Sequence, residues 1–292
     1  MWNRRADRRS RSDRGFSLLE VAVMLALIAA VVALVAPVLA GMTRRTNETS
    51  VQQQERAINA AIFGVPVDGR FGFAGDVGRL PTSLGELVSR GSLPAFHVTD
   101  GATPHVGNIG YGWNGPYLGG VFSDADIVTD PWGQAFSYSG SGGTAGQVTS
   151  GGADGTVGNT DDITFPFHAP ATTGTVFVTV IANGIANAFG TAAKVYYPAN
   201  GEQAVTTTQK FDPNSPGESF DGFAFTGLAP GVRIAVASHT DNGGSCGGGG
   251  CCTTSRTVLI NVIAGRTNAV EIQIKTGSQV KVTGNYTCTI PN

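Results

Sequence analysis

Charged side chains are scarce in this sequence: they make up 14% of its 292 residues, and the formal net charge is −2. Beyond the N-terminus, acidic and basic residues are spread along the chain, so the basic patch that nucleic-acid binding requires is missing. Histidine is scarce too, and His97, His105, His168 and His239 lie in no recognised nucleophile or metal motif. The sequence therefore indicates neither a nucleic-acid-binding protein nor an enzyme.

Glycine, by contrast, is abundant, with 42 residues, and segments rich in Thr, Val and Asn recur along the chain. This composition favours turn-rich β structure over a helical bundle. The length accommodates one large domain or two ordinary ones. We expect most of the chain after its N-terminal part to be β.

The N-terminus combines a basic segment with an apolar run. Arginines crowd the first 14 residues, and residues 21–40 then carry no charge. At about 1.5 Å rise per residue this run is about 30 Å long as a helix, which matches the hydrocarbon thickness of a bilayer. An excess of arginine holds its end of a membrane helix in the cytoplasm. The pattern predicts a single-pass inner-membrane protein with its remaining domains on the periplasmic or extracellular side.

A removable secretory signal is the alternative interpretation, because Val38, Leu39 and Ala40 before Gly41 form a small-residue cleavage pattern. Glu20 argues against it. A carboxylate near the start of a membrane helix costs a few kcal/mol unless it is neutralised or paired, so its presence requires a partner. A removable targeting segment has no use for such a group.

The segment 14–21, RGFSLLEV, resembles the prepilin cleavage motif of type IV pilins and pseudopilins. The resemblance implies that prepilin peptidase removes a leader of residues 1–15 by cutting between Gly15 and Phe16, and methylates the new amine. It also implies that Glu20 of one subunit pairs with that amine on a neighbouring subunit. Pairing would remove the cost of burying Glu20 only after assembly, so Glu20 would set the register of the filament.

The N-terminal helix is predicted to cover residues 16–63, with residues 16–41 spanning the membrane. Beyond Gly41 the chain becomes polar, and apolar residues then recur at an amphipathic spacing as far as about Phe63. Pro37 lies where pilins commonly carry a proline; it lacks an N–H and would clash with an earlier carbonyl, so we expect a kink or local melting between residues 33 and 37. A plain membrane kink and a filament-specific role both remain open.

Two aromatic blocks follow, at residues 112–118 (GWNGPYL) and 129–138 (TDPWGQAFSY). In this order they resemble the core of the major pseudopilin of type II secretion, which implies a globular domain over residues 64–168. Their large aromatic residues would cover a small sheet that is otherwise short of core. A carbohydrate-binding platform is the alternative. These anchors are Trp113, Tyr117, Trp132, Phe136 and Tyr138.

The segment 151–163, GGADGTVGNTDDI, looks like the pseudopilin calcium loop. Calcium requires several oxygen ligands on a flexible loop, and this segment can supply them. The resemblance implies Asp154 and Asp161 as ligands, with Asp162 and the Thr160 carbonyl as plausible additions. The loop is shorter than the usual version, so a Gly/Asp turn without metal is the alternative.

The last part of the chain, residues 171–292, alternates apolar and polar residues between turns, which is typical of a β-sandwich. Residues 223–231 and 258–274 resemble carboxypeptidase-regulatory or transthyretin-like domains. Such domains usually bind ligands or act as spacers, and they seldom catalyse reactions.

The cysteines of the chain all lie in this extension, on the oxidising side of the predicted membrane, and we expect two disulfides. A direct bond between adjacent Cys251 and Cys252 would be strained, so each is expected to pair with Cys246 or Cys288 in an order that stays open. A four-cysteine zinc site is the alternative.

Together these observations predict an α+β protein: a long membrane-spanning helix packed on a small antiparallel sheet, followed by a separate all-β sandwich. The expected function is that of a structural subunit of a type II secretion-like pseudopilus or a type IV pilus-like filament, as a minor or tip subunit. Expected partners are prepilin peptidase, other pilin or pseudopilin subunits and an inner-membrane assembly platform. A surface adhesin or ligand-binding protein with a pilin anchor is the alternative.

Overall fold

The computed structural model describes residues 17–65, 71–98, 109–118, 128–186, 190–209, 222–241 and 252–275. The predicted leader and cleavage site, with Gly15 and Phe16, lie outside these residues, as do Cys246, Cys251 and Cys288. The chain divides into two compact units, residues 1–49 and 50–292.

Helix α1 runs from Leu18 to Phe63 over 46 residues and is the one described helix long and apolar enough to cross a membrane. Its first half exposes apolar side chains throughout residues 18–42. In the polar stretch that follows, the hydroxyl groups of Thr43, Thr46 and Thr49 donate hydrogen bonds to carbonyls one turn earlier, which satisfies these hydroxyls within the helix. Pro37 lies inside the helix, so the described residues show no local melting; the predicted kink stays a prediction.

The described part of the chain between α1 and residue 168, which we call the middle module, is built from short elements. Helix α2 covers Gly72–Val77, and a 3-10 turn covers Leu84–Leu87. Strands β1 (His97–Val98) and β2 (Gly110–Tyr111) form one antiparallel pair. Strands β3 (Ser137–Tyr138), β4 (Val148–Ser150) and β5 (Ile163–Phe165) form an antiparallel sheet in that order, with a 3-10 turn at Gly142–Thr144 between β3 and β4.

The core of the middle module depends on the second half of α1. This half contributes Val51, Ile58, Ala61 and Ile62 to a cluster that also contains side chains from α2, the 3-10 turn and β4. Strands of two or three residues cannot by themselves bury enough apolar surface to be stable, so the helix completes the module. The other buried members of the cluster are Phe73, Val77, Leu84, Leu87, Phe136 and Val148.

The sandwich module begins at Gly174 and consists of two packed sheets. One sheet has the order β12-β11-β8-β9, in which all neighbours are antiparallel. The other has the order β10-β6-β13, with β6 and β13 parallel and the short β7 paired to β6. The strands are β6 (Gly174–Ala182), β7 (Ile185–Ala186), β8 (Thr191–Ala199), β9 (Glu202–Gln209), β10 (Phe223–Leu228), β11 (Gly231–Asp241), β12 (Cys252–Val262) and β13 (Thr267–Ile274).

The two sheets bury one shared core, to which every second residue of β6 contributes. Val176, Val178 and Val180 of β6 face Val195 of β8 and Ala235 of β11 in this cluster. Period-two burial is what the alternating sequence predicts for strands covered on one face. The fold class expected from the sequence, a long apolar helix followed by β-rich domains, is confirmed.

The sandwich module packs directly on α2 of the middle module, which contacts β8 and β11. The Gly201 amide donates to the Val77 carbonyl at 2.8 Å. Gly78, at φ +82°, lies so close to β8 that an added Cβ would be 1.9 Å from the Pro198 carbonyl oxygen. Only glycine is compatible with both this backbone conformation and this distance.

Arg233 of β11 is the largest buried group at this contact, with 2% of its surface exposed. Its Nη2 donates to the carbonyl oxygens of Gly75 (3.2 Å), Ala229 (2.9 Å) and Pro230 (2.6 Å). Burial lowers the pKa of Arg233 to about 10, and the charge of Asp76 opposes the change. The guanidinium therefore stays charged at neutral pH, with carbonyl oxygens as its main partners.

We expect Arg233→Met to lower the free energy of unfolding by about 2–4 kcal/mol, because it leaves several buried carbonyls without donors. Denaturant unfolding of the detergent-solubilised chain measures the change. The control is Arg256→Met, because Arg256 is exposed and donates only one described bond, to the Gln273 carbonyl at 3.0 Å. Equal unfolding midpoints for the two variants would contradict the role given to Arg233.

Candidate functional site

Glu20, the predicted assembly residue, lies in the first turn of α1 with its side chain exposed. The Phe16 amine expected to pair with it lies outside the described residues. The pairing therefore stays a prediction, although the exposed position leaves Glu20 accessible to a second subunit.

The aromatic residues of the two blocks act as anchors within the middle module. Trp113 Nε1 donates to the Glu86 carbonyl at 2.7 Å, and the Tyr138 hydroxyl donates to the Pro81 carbonyl at 3.1 Å. The rings of Trp113 and Tyr117 meet edge to face, with centroids 5.8 Å apart. These hydrogen bonds tie distant parts of the chain together, as expected for partly buried aromatic side chains with a polar atom.

Asp76 and Tyr117 form a partly buried polar pair next to the contact with the sandwich module. The Tyr117 hydroxyl donates to Asp76 Oδ2 at 3.1 Å. Burial raises the pKa of Asp76, while the hydrogen bond from Tyr117 and the charge of Arg233 oppose the rise. Burial and the nearby Asp76 also raise the pKa of the Tyr117 phenol, so it stays a hydrogen-bond donor at neutral pH.

Glu86 is a structural residue that the sequence analysis did not identify. It accepts two hydrogen bonds from Arg79, at 2.8 and 3.0 Å, and two more from the amide and hydroxyl of Thr82 at 2.9 Å. Burial alone would raise the pKa of Glu86, but these hydrogen bonds outweigh burial and lower it. One sequence pattern could have identified this role: Thr82 is followed four residues later by Glu86, just before the apolar Leu87.

Asp130 organises the turn that contains Pro131 and Gly133. Only 4% of its surface is exposed. Its Oδ1 accepts hydrogen bonds from the Trp132 amide at 3.0 Å and the Gln134 amide at 2.9 Å. Its Oδ2 accepts one from the Ser150 hydroxyl at 2.5 Å. The turn follows from local sequence, because aspartate binds its own backbone two residues on, but the bond to Ser150 does not.

Ser150 connects this turn to the aspartate loop, which we define as residues 151–163. Its hydroxyl oxygen accepts a hydrogen bond from the Gly152 amide at 3.2 Å while donating to Asp130. Ser150 is fully buried at the end of β4. The loop is therefore anchored to the module core at its first residues.

The carboxylates of the aspartate loop bind the loop's own backbone. Asp161 Oδ2 accepts from the Ala153 amide at 3.1 Å, and Asp154 Oδ1 accepts from the Thr156 amide at 2.8 Å. Asp162 Oδ2 accepts from the Gly158 amide at 2.6 Å. The carboxylates thus brace the loop internally by charge-assisted hydrogen bonds.

The donor set of the loop is suited to a hard cation. Asp162 Oδ1 is buried and has no hydrogen-bond partner, which leaves an oxygen available for another ligand. In the described parts of the chain, however, no three or more Asp, Glu, His or Cys side chains are gathered as a metal cluster. Asp154, Asp161 and Asp162 thus share a loop with suitable oxygen donors but do not converge on one point. Thr160 is exposed in the same loop.

Of the cysteines, only Cys252 falls within the described residues. It begins β12 opposite Asp241 of β11. Both predicted disulfides involve residues outside the described ranges and stay predictions.

Residues 102–165 match the family model described as Type II secretion system (T2SS), protein G. The match contains both aromatic blocks and the aspartate loop, whereas α1 and the sandwich module lie outside it. No curated protein and no solved structure matches the chain significantly. The family match, together with a long apolar N-terminal helix that fits membrane anchoring, supports a pseudopilin-type secretion subunit.

Proposed function

We propose that this protein is a structural subunit of a type II secretion-like pseudopilus or a type IV pilus-like filament. The observation that carries the proposal is the protein G match over the aromatic blocks and aspartate loop, in a chain with an exposed apolar helix near its N-terminus. The aromatic and carboxylate groups described in the middle module bind backbone atoms and side chains of the module itself. A filament subunit needs such a rigid body and a helix that associates in the membrane.

In this proposal, prepilin peptidase cuts between Gly15 and Phe16 and methylates the new amine. Residues 16–41 then hold the subunit in the inner membrane, with the N-terminus in the cytoplasm and the modules beyond α1 on the other side. Glu20 is costly in lipid until it pairs with the Phe16 amine of a neighbouring subunit. Pairing favours the assembled state over the isolated one, with the assembly platform adding subunits.

The sandwich module supports a minor or tip-proximal role. It has its own core, and Arg233, Gly78 and Gly201 attach it closely to the middle module. Every copy in a filament would therefore carry this module in one fixed place. A bulky fixed extension is easier to accommodate at a tip than at each repeat of a shaft.

We also propose that the aspartate loop binds calcium through Asp154, Asp161, Asp162 and the Thr160 carbonyl. The carboxylates on one loop and the unpartnered Asp162 Oδ1 support this proposal. Calcium would supply a charge that neutralises the loop's carboxylates and fixes its conformation. The link from Ser150 would extend that effect to the Asp130 turn.

We expect Gly15→Ala to block maturation, because the peptidase motif requires the glycine before the cut. Mass spectrometry of the purified chain gives its N-terminal residue. Gly41→Ala is the matched control, because an added Cβ at Gly41 meets nothing within 4 Å and the predicted peptidase site is unchanged. Normal trimming of Gly15→Ala at Phe16 would exclude the assigned cut, and a wild-type N-terminus at Gly41 would favour a signal peptide.

We expect Glu20→Ala to be processed normally yet to enter filaments at least about tenfold less, equivalent to about 1.4 kcal/mol of lost pairing free energy. Quantitative immunoblotting of sheared filaments against the membrane pool measures incorporation. Glu48→Gln is the control, since Glu48 makes a surface pair with Arg44 at 2.8 Å on the same helix. Unimpaired incorporation of Glu20→Ala would remove the pairing role.

We expect millimolar calcium to raise the melting temperature of the detergent-solubilised chain, because a ligand that binds only the folded state stabilises it. Calcium at 100 times its dissociation constant would add about 2.7 kcal/mol. Asp154→Ala should abolish the calcium-dependent shift, while Glu271→Gln, an exposed change on β13, should keep it. If calcium does not change the melting temperature of the wild type, the proposed calcium site is ruled out.

A further inference from the structure

Glu55 is a buried acid in the half of α1 that packs on the middle module. Its exposed fraction is 0%, and neither carboxylate oxygen has a hydrogen-bond partner. It lies on the helix face that contributes Val51, Ile58 and Ile62 to the core. An apolar residue would fill this position at no electrostatic cost, so the carboxyl group calls for an explanation.

The surroundings of Glu55 offer no compensating charge. The Ser150 backbone of β4 faces the carboxyl group without reaching hydrogen-bonding geometry, and strands β4 and β5 carry no ionisable side chain. In the described ranges, no arginine or lysine forms an ion pair with Glu55. The other ionisable groups around this core are Glu48 and Arg56 on α1 itself and, on the elements and loops packed against it, Asp76, Arg79, Glu86, Tyr117, Asp130, Tyr138, Asp154, Asp161 and Asp162.

Several of these groups have partners of their own. Arg56 lies over the Phe165 ring, 5.8 Å from its centroid, and Asp130 binds the Ser150 hydroxyl. Arg79 pairs with Glu86. With no cation to offset it, burial raises the pKa of Glu55 from 4.5 to about 8, and the Ser150 backbone only moderates the rise. The carboxyl group is therefore neutral in the folded protein at pH values well below 8.

We propose that Glu55 makes the packing of α1 on the middle module dependent on pH: the neutral carboxyl group permits packing, and its ionisation loosens the helix from β4. The Ser150 hydroxyl is also hydrogen-bonded to Asp130 and to the Gly152 amide. Loosening of the contact between Glu55 and β4 therefore also loosens the Asp130 turn and the aspartate loop. This property belongs to the folded module and holds whether or not the chain assembles into a filament.

The direction of the pH dependence follows from linkage. The folded state binds the Glu55 proton more tightly than the unfolded state, so the stabilisation is complete below about pH 4.5 and is lost as the pH rises through about 8. Within that window, each pH unit lowers the folding equilibrium constant by up to about tenfold. A surface glutamate with an ordinary pKa has no such effect above pH 6.

The test compares wild type, Glu55→Gln and Glu48→Gln as full-length chains in detergent at pH 5, 6.5 and 8. Denaturant unfolding measures stability, and hydrogen exchange follows residues 50–63 and 148–152. Wild type and Glu48→Gln should lose stability and protection as the pH rises. The folding equilibrium constant of Glu55→Gln should lie within about tenfold of the wild-type value at pH 5. At pH 8 it should be larger than the wild-type value.

The same pH dependence in Glu55→Gln as in wild type would overturn the proposal, and so would a lower stability of the variant at pH 8. If Glu55→Gln does not fold, infrared spectroscopy of the wild type decides. A protonated buried carboxyl band at pH 6.5 that disappears above pH 8, alongside faster exchange at residues 148–152, would support it. A carboxylate already ionised at pH 6.5 would exclude it.

Discussion

A single helix that must serve two environments is the constraint on which the rest of this structure depends. The first half of α1 exposes apolar side chains suited to lipid, while the second half supplies a large part of the middle module's core. Without that second half, the short strands β3 to β5 would have little to pack on. Anchoring and folding are therefore encoded in one continuous element, and a change in one half need not disturb the other.

Three polar groups in apolar surroundings show three physical solutions to the same problem. Arg233 keeps its charge because backbone carbonyls at the end of α2 and before β11 surround it. In our proposals, Glu20 is neutralised by pairing with another subunit, and Glu55 by holding its proton. The stabilisation of Arg233 is part of the fold itself. That of Glu20 depends on assembly, and that of Glu55 depends on pH.

The close attachment of the sandwich module adds a constraint on any assembly. Arg233 reaches from β11 to α2, and Gly78 allows the backbone to approach β8 closely enough that no side chain fits. The second module is thus held against the first by buried polar contacts instead of being linked only by residues 166–173. Its position relative to the middle module is part of the fold, which restricts where neighbouring subunits can lie.

The sequence alone determined the features that depend on local pattern. Hydropathy and length predict α1, alternation predicts most sandwich strands, and Asp130 with Gly133 predicts its turn, because periodicity and turn chemistry act over a few residues. The edge strand β9 does not follow this alternation, since its Val205-Thr206-Thr207 stretch is largely polar. Only the tertiary structure decided the parallel pairing of β6 with β13, the bond from Ser150 to Asp130 and the burial of Glu55. The helical spacing with Val51 and Ile58 hinted at that burial, but the environment of a side chain depends on elements far away in the chain, which no local pattern specifies.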